Sequence, residues 1–253
     1  MLNPSEIVLI KKAGEIAGKT LAYAKTLISP GISTYDLDKK LEMFIIENGG
    51  VASCKGYMGF PCATCISVNE VVVHGIPSKN IILKEGDIVS VDLVVAYKGY
   101  HADAARTFPV GKISSEKEKL IKVTRECFFQ GLRNLHVGQR LGNLSHAIQE
   151  HAEKNGYGVV RELCGHGIGK EMHENPSVLN YGREQSGPIV EEGMILAIEP
   201  MITMGKRNIF VLNDGWGVVS RDRKPAAQYE NTVIVTQLGA IIITNGDEIN
   251  ANS

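Results

Sequence analysis

Leu9, Ile10, Ala13, Ala17, Leu21, Ala24 and Leu27 keep a helical spacing, which predicts an amphipathic helix that Ser5 can cap and that Pro30-Gly31 stops. Leu37, Leu41 and Ile45 carry the same spacing through a second helix, from near Thr34 to Asn48-Gly49-Gly50, where glycine supplies the C-terminal stop. A similar pair is predicted over Ser115 to about Leu135 and Asn143 to about Asn155. β-branched residues concentrate instead in 64–73, 87–97, 100–110, 158–164, 194–204, 208–213 and 229–243, which read as strands. Pro4, Pro30, Pro61, Pro77 and Pro109 read as turns.

The pattern repeats. Leu83-Lys-Glu-Gly-Asp-Ile-Val-Ser-Val-Asp92 matches Val190-Glu-Glu-Gly-Met-Ile-Leu-Ala-Ile-Glu199 at an offset of 107 residues, which sets Glu85 on Glu192, Gly86 on Gly193 and Asp92 on Glu199. The same offset places Gly31 on Gly138, Leu37 on Leu144, Leu41 on Ile148 and Asn48-Gly49 on Asn155-Gly156. Two helices followed by strands, twice, predict an α+β architecture with an approximate two-fold axis. No Pro/Ser-rich linker separates the copies, so the reading is a single domain over 1–253 with halves of about 1–112 and 113–253. A site between such halves draws residues from both.

Composition narrows the function. Lys+Arg is 27 against Asp+Glu 28, a formal net charge of −1, so the chain has no global basic field to hold nucleic acid. Apolar runs such as Gly239-Ala-Ile-Ile-Ile243 are far too short to span a bilayer, and the N-terminal stretch does not read as a cleavable leader, so a cytoplasmic location is expected. Five cysteines (Cys54, Cys62, Cys65, Cys127, Cys164) fit reduced thiols better than a disulfide framework. Cys62 and Cys65 make a C-x-x-C, but without a second pair it is weak ground for structural zinc.

Four acids interrupt apolar strand sequence. Asp92 and Asp103 flank Tyr97-Lys-Gly-Tyr100; if Lys98-Gly99 is a two-residue turn, Tyr97 pairs with Tyr100, Val94 pairs with Asp103, and Asp92 lies one diagonal step from Asp103 on the same face. Glu199 and Glu230 occupy comparable runs. The plain alternative is that these acids point to solvent from edge strands or pair with arginines such as Arg106. Their number and their relation through the repeat favour a cation between them, because facing buried carboxylates otherwise repel. His166, in Cys164-Gly-His-Gly-Ile-Gly169, is read as a histidine on a glycine-rich loop free to coordinate, with His173 seven residues on and Pro176 fixing a turn. Four carboxylates sum to −4, which two divalent ions neutralise, and an oxygen-rich set with one imidazole suits Mn²⁺, Fe²⁺ or Co²⁺ more than a thiolate zinc site. Two such ions polarise a carbonyl and hold a water between them that ionises near neutral pH, which is hydrolysis chemistry.

Val73-His-Gly-Ile-Pro77, Asp92, Asp103, Gly165-His-Gly-Ile-Gly169, His173, Ile198-Glu-Pro200 and Ala227-Gln-Tyr-Glu230 together resemble the type I methionine aminopeptidases, of the pita-bread fold shared with creatinase and prolidase. The ligand gaps follow that family: 92 to 103, 103 to 166, 166 to 199 and 199 to 230, with no room between His166 and Glu199 for the insertion that marks type II enzymes. The resemblance implies helices covering a curved, mainly antiparallel sheet. It implies metal ligands Asp92, Asp103, His166, Glu199 and Glu230 for two divalent ions (Co, Mn, Fe or Zn), with Asp103 and Glu230 bridging. By the same resemblance Glu199 is the acid/base for the attacking water, His173 donates to the scissile carbonyl oxygen, and His74 contacts the scissile amide. Cys54, Tyr57, Phe60, Cys65 and Trp216 would line the methionine side-chain slot, with Met172 near its rim, and backbone carbonyls of Asn69, Val71 and Ala226 would hold a monovalent cation, Na⁺ or K⁺. Leu163, Ala102, Ala104 and Asn231 depart from the family pattern without removing a ligand.

The expected activity is removal of the initiator methionine from nascent proteins and peptides with a small second residue, by a monomer acting near the ribosome without membrane or specific nucleic acid. The competing readings are an X-Pro aminopeptidase or prolidase on the same fold, and a non-catalytic peptide-binding module.

Overall fold

The computed structural model describes residues 2–246; position 1 and positions 247–253 of the expected domain lie outside the described residues. Four helices are α1 (Pro4–Leu27), α2 (Thr34–Glu47), α3 (Ser115–Leu132) and α4 (Gly142–Lys154). The strands are β1 (Val51–Ala52), β2 (Cys65–Val68), β3 (Val71–Val73), β4 (Ile88–Tyr97), β5 (Tyr100–Pro109), β6 (Gly158–Val159), β7 (Gly165–Gly167) and β8 (Glu174–Val178). They continue with β9 (Ile195–Ile198), β10 (Met201–Thr203), β11 (Ile209–Val211), β12 (Val218–Ser220), β13 (Ala226–Gln228), β14 (Glu230–Thr236) and β15 (Gly239–Ile242).

A nine-stranded antiparallel sheet runs β1-β4-β5-β14-β9-β7-β8, with β2 added along β4 and β15 along β14. Two three-stranded sheets, β13-β10-β6 and β11-β12-β3, flank it. Each helix pair covers its own half: α1 and α2 pack on Val89, Val91, Leu93 and Val95 of β4, and α3 and α4 pack on β9 and β14 through Leu196, Ile198, Val233 and Val235. Because side chains alternate along a strand, the odd positions of β4 that face the helices turn Asp92 to the opposite face.

The duplication survives in the backbone. Isolated bridges join Ser33 to Ile82 and Arg140 to Ile189, each residue 107 positions from its counterpart. Asn48 and Asn155 end α2 and α4 with the same dihedrals, φ −87° in both, each followed by a left-handed glycine, Gly49 at 81° and Gly156 at 84°. Glycine is favoured there because a Cβ would crowd the backbone at positive φ.

Several expectations shift. Asn3 rather than Ser5 caps α1, accepting from Ser5 N and Glu6 N at 3.0 Å, because Ser5 lies inside the first turn and its own N–H is one of the groups to be capped. Pro4 then starts the helix, where its missing N–H costs nothing, and Pro109 closes β5 instead of forming a turn. Pro176 lies inside β8, not in a turn, and His166 lies in β7, not on a free loop. The flanking glycines serve close strand packing: a Cβ at Gly165 would stand 2.2 Å from the Ala197 carbonyl, and one at Gly167 2.2 Å from the Asn175 carbonyl. Lys98 (φ 49°) and Gly99 (φ 84°) form the expected two-residue turn, and β4 and β5 pair in the expected register, Tyr97 with Tyr100 and Val94 with Asp103.

Candidate metal centre and substrate cavity

Asp92 and Asp103 come from the β4-β5 hairpin, His166 from β7, Glu199 from the residue after β9, and Glu230 from the first position of β14. β14 pairs with β5 through Glu230 and Ala105, and with β9, which pairs with β7, so the sheet itself carries the second-half candidate ligands to the first. Oxygen or nitrogen atoms of Asp103, His166 and Glu230 lie within 4.8 Å of one another. His166 Nε2 stands 3.7 Å from Asp103 Oδ2 and 3.8 Å from Glu199 Oε1. The solvent-facing alternative for the acids does not hold: the Asp103 and Glu199 side chains are 8% and 13% exposed and Glu230 is 1% exposed.

Supporting contacts fix these groups. Thr232 Oγ1 accepts from Asp103 N and donates to Asp103 O, both at 2.8 Å, across the seam between the halves. Arg106 donates to the Glu230 carbonyl and to Asn231 Oδ1, and its guanidinium lies 4.1 Å from the Tyr229 ring centre. The Asn180 amide donates to the Glu199 carbonyl at 3.0 Å. The Gln228 side chain opposes burial at Asp92, favouring its charged form. His166 Nδ1 is 2.9 Å from the Gly167 carbonyl, an acceptor, so Nδ1 carries the proton and Nε2 is left with its lone pair toward the acids.

The electrostatics call for a cation. Burial pushes the Asp92, Glu199 and Glu230 carboxyls well above the usual carboxylate range, and in each case the charge of Asp103 pushes further in the same direction. Asp103 Oδ1 and Glu230 Oε1 are buried without a hydrogen-bond partner. Buried, converging, unpartnered carboxylate oxygens beside an imidazole lone pair are a donor set that fits divalent metal.

Beside the acids lies a cavity of about 200 Å³ lined by Cys54, Tyr57, Phe60, Cys65, Met172 and Trp216, together with His74, His173, Asp92 and Asp103. Every slot residue expected from the resemblance lines it, and the Phe60 and Trp216 rings meet in a T-shaped arrangement with centres 5.1 Å apart. The Cys65 thiol, buried beside Cys54, is pushed well above its ordinary pKa, so this wall is neutral and soft. Cys62, buried in the same cluster as Cys65, donates from its thiol to the Pro77 carbonyl at 3.9 Å and does not line the cavity. His74 sits at φ 58° just after β3, held there because Gly75 is pressed on β2, where a Cβ would come within 2.3 Å of the Ile66 carbonyl. Burial lowers the His74 pKa, and partial desolvation beside His166 lowers that of His173, so both imidazoles favour the neutral form.

Met58 and Val94 also line the cavity, roles the sequence reading did not assign. The register already pairing Val94 with Asp103 was the signal for Val94; an exposed Met58 between glycines carried none. Asn69 and Ala226 are neighbours, the Asn69 carbonyl accepting from Ala226 N at 2.9 Å, while Val71 pairs with Val219. A larger groove of about 410 Å³, between Leu2, Lys170 and Glu191, holds none of the expected site residues.

The profile of metallopeptidase family M24 matches residues 8–237. The chain belongs to that family. Its M24 relatives include a methionine aminopeptidase of Clostridium acetobutylicum, 50% identical over 96% of this chain and 97% of that one, and one of Escherichia coli, 41% identical over 96% and 92%. Among solved M24 structures, the methionine aminopeptidase of Thermotoga maritima superposes with a TM-score of 0.94 at 41% identity, covering 96% of this chain and 98% of that one. The prolidase of Pyrococcus furiosus gives 0.77 at 26%, covering 96% of this chain but 64% of its own. The fold is thus the pita-bread α+β fold, and as an M24 metallopeptidase the chain is a hydrolase that uses divalent metal.

Proposed function

We propose that the chain is a methionine aminopeptidase, a single catalytic domain that removes the initiator methionine from peptides and nascent chains whose second residue is small. The observation that carries this reading is the cavity: a slot of sulfur and aromatic side chains that ends on His74, Asp92, Asp103 and His173. A thioether fits such walls, and filling them places the adjoining peptide bond at the carboxylates. Asp92, Asp103, His166, Glu199 and Glu230 would hold two divalent ions drawn from Co, Mn, Fe and Zn.

Divalent metal, when bound, supplies polarisation of the scissile carbonyl and a lowered pKa for water. Glu199, whose carboxyl burial holds above its usual range, accepts the attacking water's proton and returns it to the departing amine. His173 donates to the carbonyl oxygen as negative charge gathers there. His74, half-buried and neutral, holds the scissile amide against rotation away from the acids. A monovalent cation, Na⁺ or K⁺, on the carbonyls of Asn69, Val71 and Ala226 would brace the loops behind the cavity. The enzyme acts as a monomer in the cytoplasm, near the ribosome; no helix among the described residues is long and apolar enough to cross a membrane.

The test is release of the first residue by metal-stripped protein titrated with Fe²⁺, Mn²⁺, Co²⁺ and Zn²⁺, on Met-Ala-Ser and on Ala-Pro-Ala. Metal-dependent cleavage of the methionyl peptide is expected. Faster cleavage of the proline peptide would instead assign the site to X-Pro hydrolysis, and absence of turnover with every metal would make it a peptide-binding module.

A further inference from the structure

Tyr57 stands in a loop braced on itself: Gly56 N donates to Phe60 O at 2.8 Å, Tyr57 N to Cys54 O at 3.1 Å, and Phe60 N to Tyr57 O at 2.8 Å. Gly56, Met58 and Gly59 all take left-handed dihedrals, φ 87°, 48° and 90°. Met58 has a Cβ that disfavours this region, so the loop holds a local cost where it meets the cavity. The Tyr57 hydroxyl lies 2.8 Å from His173 Nδ1, across 116 residues of sequence, and the two rings are 5.2 Å apart. On its other flank the His173 ring meets His166 at 4.2 Å between centres.

We propose that Tyr57 is the positioning residue for His173, its hydroxyl donating to Nδ1 and so fixing the imidazole as the tautomer protonated on Nε2. In a neutral imidazole one nitrogen donates and the other accepts, and the bond made at the first decides what the second offers. A proton on Nδ1 would leave a lone pair at Nε2, which repels a carbonyl oxygen. With the phenol donating to Nδ1, Nε2 presents N–H, the group that stabilises a developing oxyanion. This inference rests on the aminopeptidase reading, in which His173 faces the scissile carbonyl. It gives Tyr57 a task separate from walling the methionine slot, since the ring serves the wall and the hydroxyl serves the histidine.

Two measurements decide it. Steady-state kinetics on Met-Ala-Ser compare metal-loaded wild type, Tyr57→Phe, His173→Ala and the double variant. Tyr57→Phe is expected to lower kcat about tenfold, with KM within about twofold, as for loss of a supporting hydrogen bond. In the His173→Ala background the same change is expected to do nothing further. Ring ¹⁵N shifts of His173 in the metal-stripped protein are expected to report the Nε2–H tautomer in wild type and a mixture in Tyr57→Phe. An unchanged kcat, a loss confined to KM, a full further loss in the His173→Ala background, or identical ring shifts would overturn the proposal. A wild type that fails to cleave Met-Ala-Ser overturns the aminopeptidase reading instead, and the ring shifts then still decide the hydrogen bond.

Discussion

His173 shows how little of a residue's role lies in its own chemistry. Its side chain stands exposed at the rim of the cavity, close to His166 yet outside the converging carboxylates. In the proposed role its contribution would fall on the transition state, since a neutral donor strengthens as the oxygen gains charge. His173→Ala is therefore expected to keep its metal content, measured by atomic emission, while kcat falls about 10²-fold or more, the loss typical of one missing oxyanion donor. A loss confined to KM would assign His173 to ground-state binding. Asn231 teaches the converse. It departs from the family pattern, yet its Oδ1 accepts from Arg106 and from Thr244 Oγ1, both at 2.8 Å, so the change is absorbed behind the site and leaves Glu230 in place.

At the scale of elements, the N-terminus of α1 is tied to distant parts of the chain through one carboxylate. Glu6 Oε2 accepts from Asn3 N at 2.8 Å, closing a reciprocal cap, and Oε1 accepts from Lys170 Nζ at 2.8 Å and from the Tyr100 hydroxyl at 2.7 Å. The bond from Lys170 first, then those from Asn3 and Tyr100, hold Glu6 down to a pKa of about 2, below its ordinary 4.5. A depressed carboxylate favours the fold above its unfolded value and loses that effect as pH falls through the folded one. The melting temperature of Glu6→Gln is expected to lie below wild type by a constant margin above about pH 5.5, and the margin should shrink steadily toward pH 2. A margin that persists unchanged near pH 3 would show that the charge is not its source. This cap was not read from the sequence, where Ser5 was the natural candidate; only geometry chose Asn3. Helix spans, the hairpin register and the repeat were legible because each is written in local spacing. The strands β7 and β8 were not, because glycine and proline look like loop residues until the strands packed against them are known. The order of the candidate ligands was legible by resemblance, whereas the separations of these residues depended on the pairing of β14 with β5, between residues over a hundred positions apart, and on that of β14 with β9.

Across the whole molecule, the two halves meet at a surface that opposes its own assembly. The first half brings Asp92 and Asp103 and the second brings Glu199 and Glu230, so folding without metal presses like charges together. Asp103 raises the pKa of all three other acids, second only to burial. Removing its charge should relieve that repulsion, so metal-stripped Asp103→Asn is expected to melt no lower than metal-stripped wild type. With metal the order reverses, because a ligand that binds only the folded state adds about 2.7 kcal/mol at a hundred times Kd. For a chain of this length that corresponds to a rise of roughly 5 to 10 °C on adding Mn²⁺ to wild type. Asp103→Asn, lacking one of the carboxylates of the candidate metal centre, is expected to lose most of the rise. Scanning calorimetry with and without Mn²⁺ measures all four states. A variant that melts well below wild type in the metal-stripped state would mean that Asp103 stabilises the seam through its hydrogen-bonded neighbours, rather than straining it by charge. The expected crossing, stabilising without metal and destabilising with it, is what distinguishes a ligand from a structural acid, since a structural acid lowers both curves together.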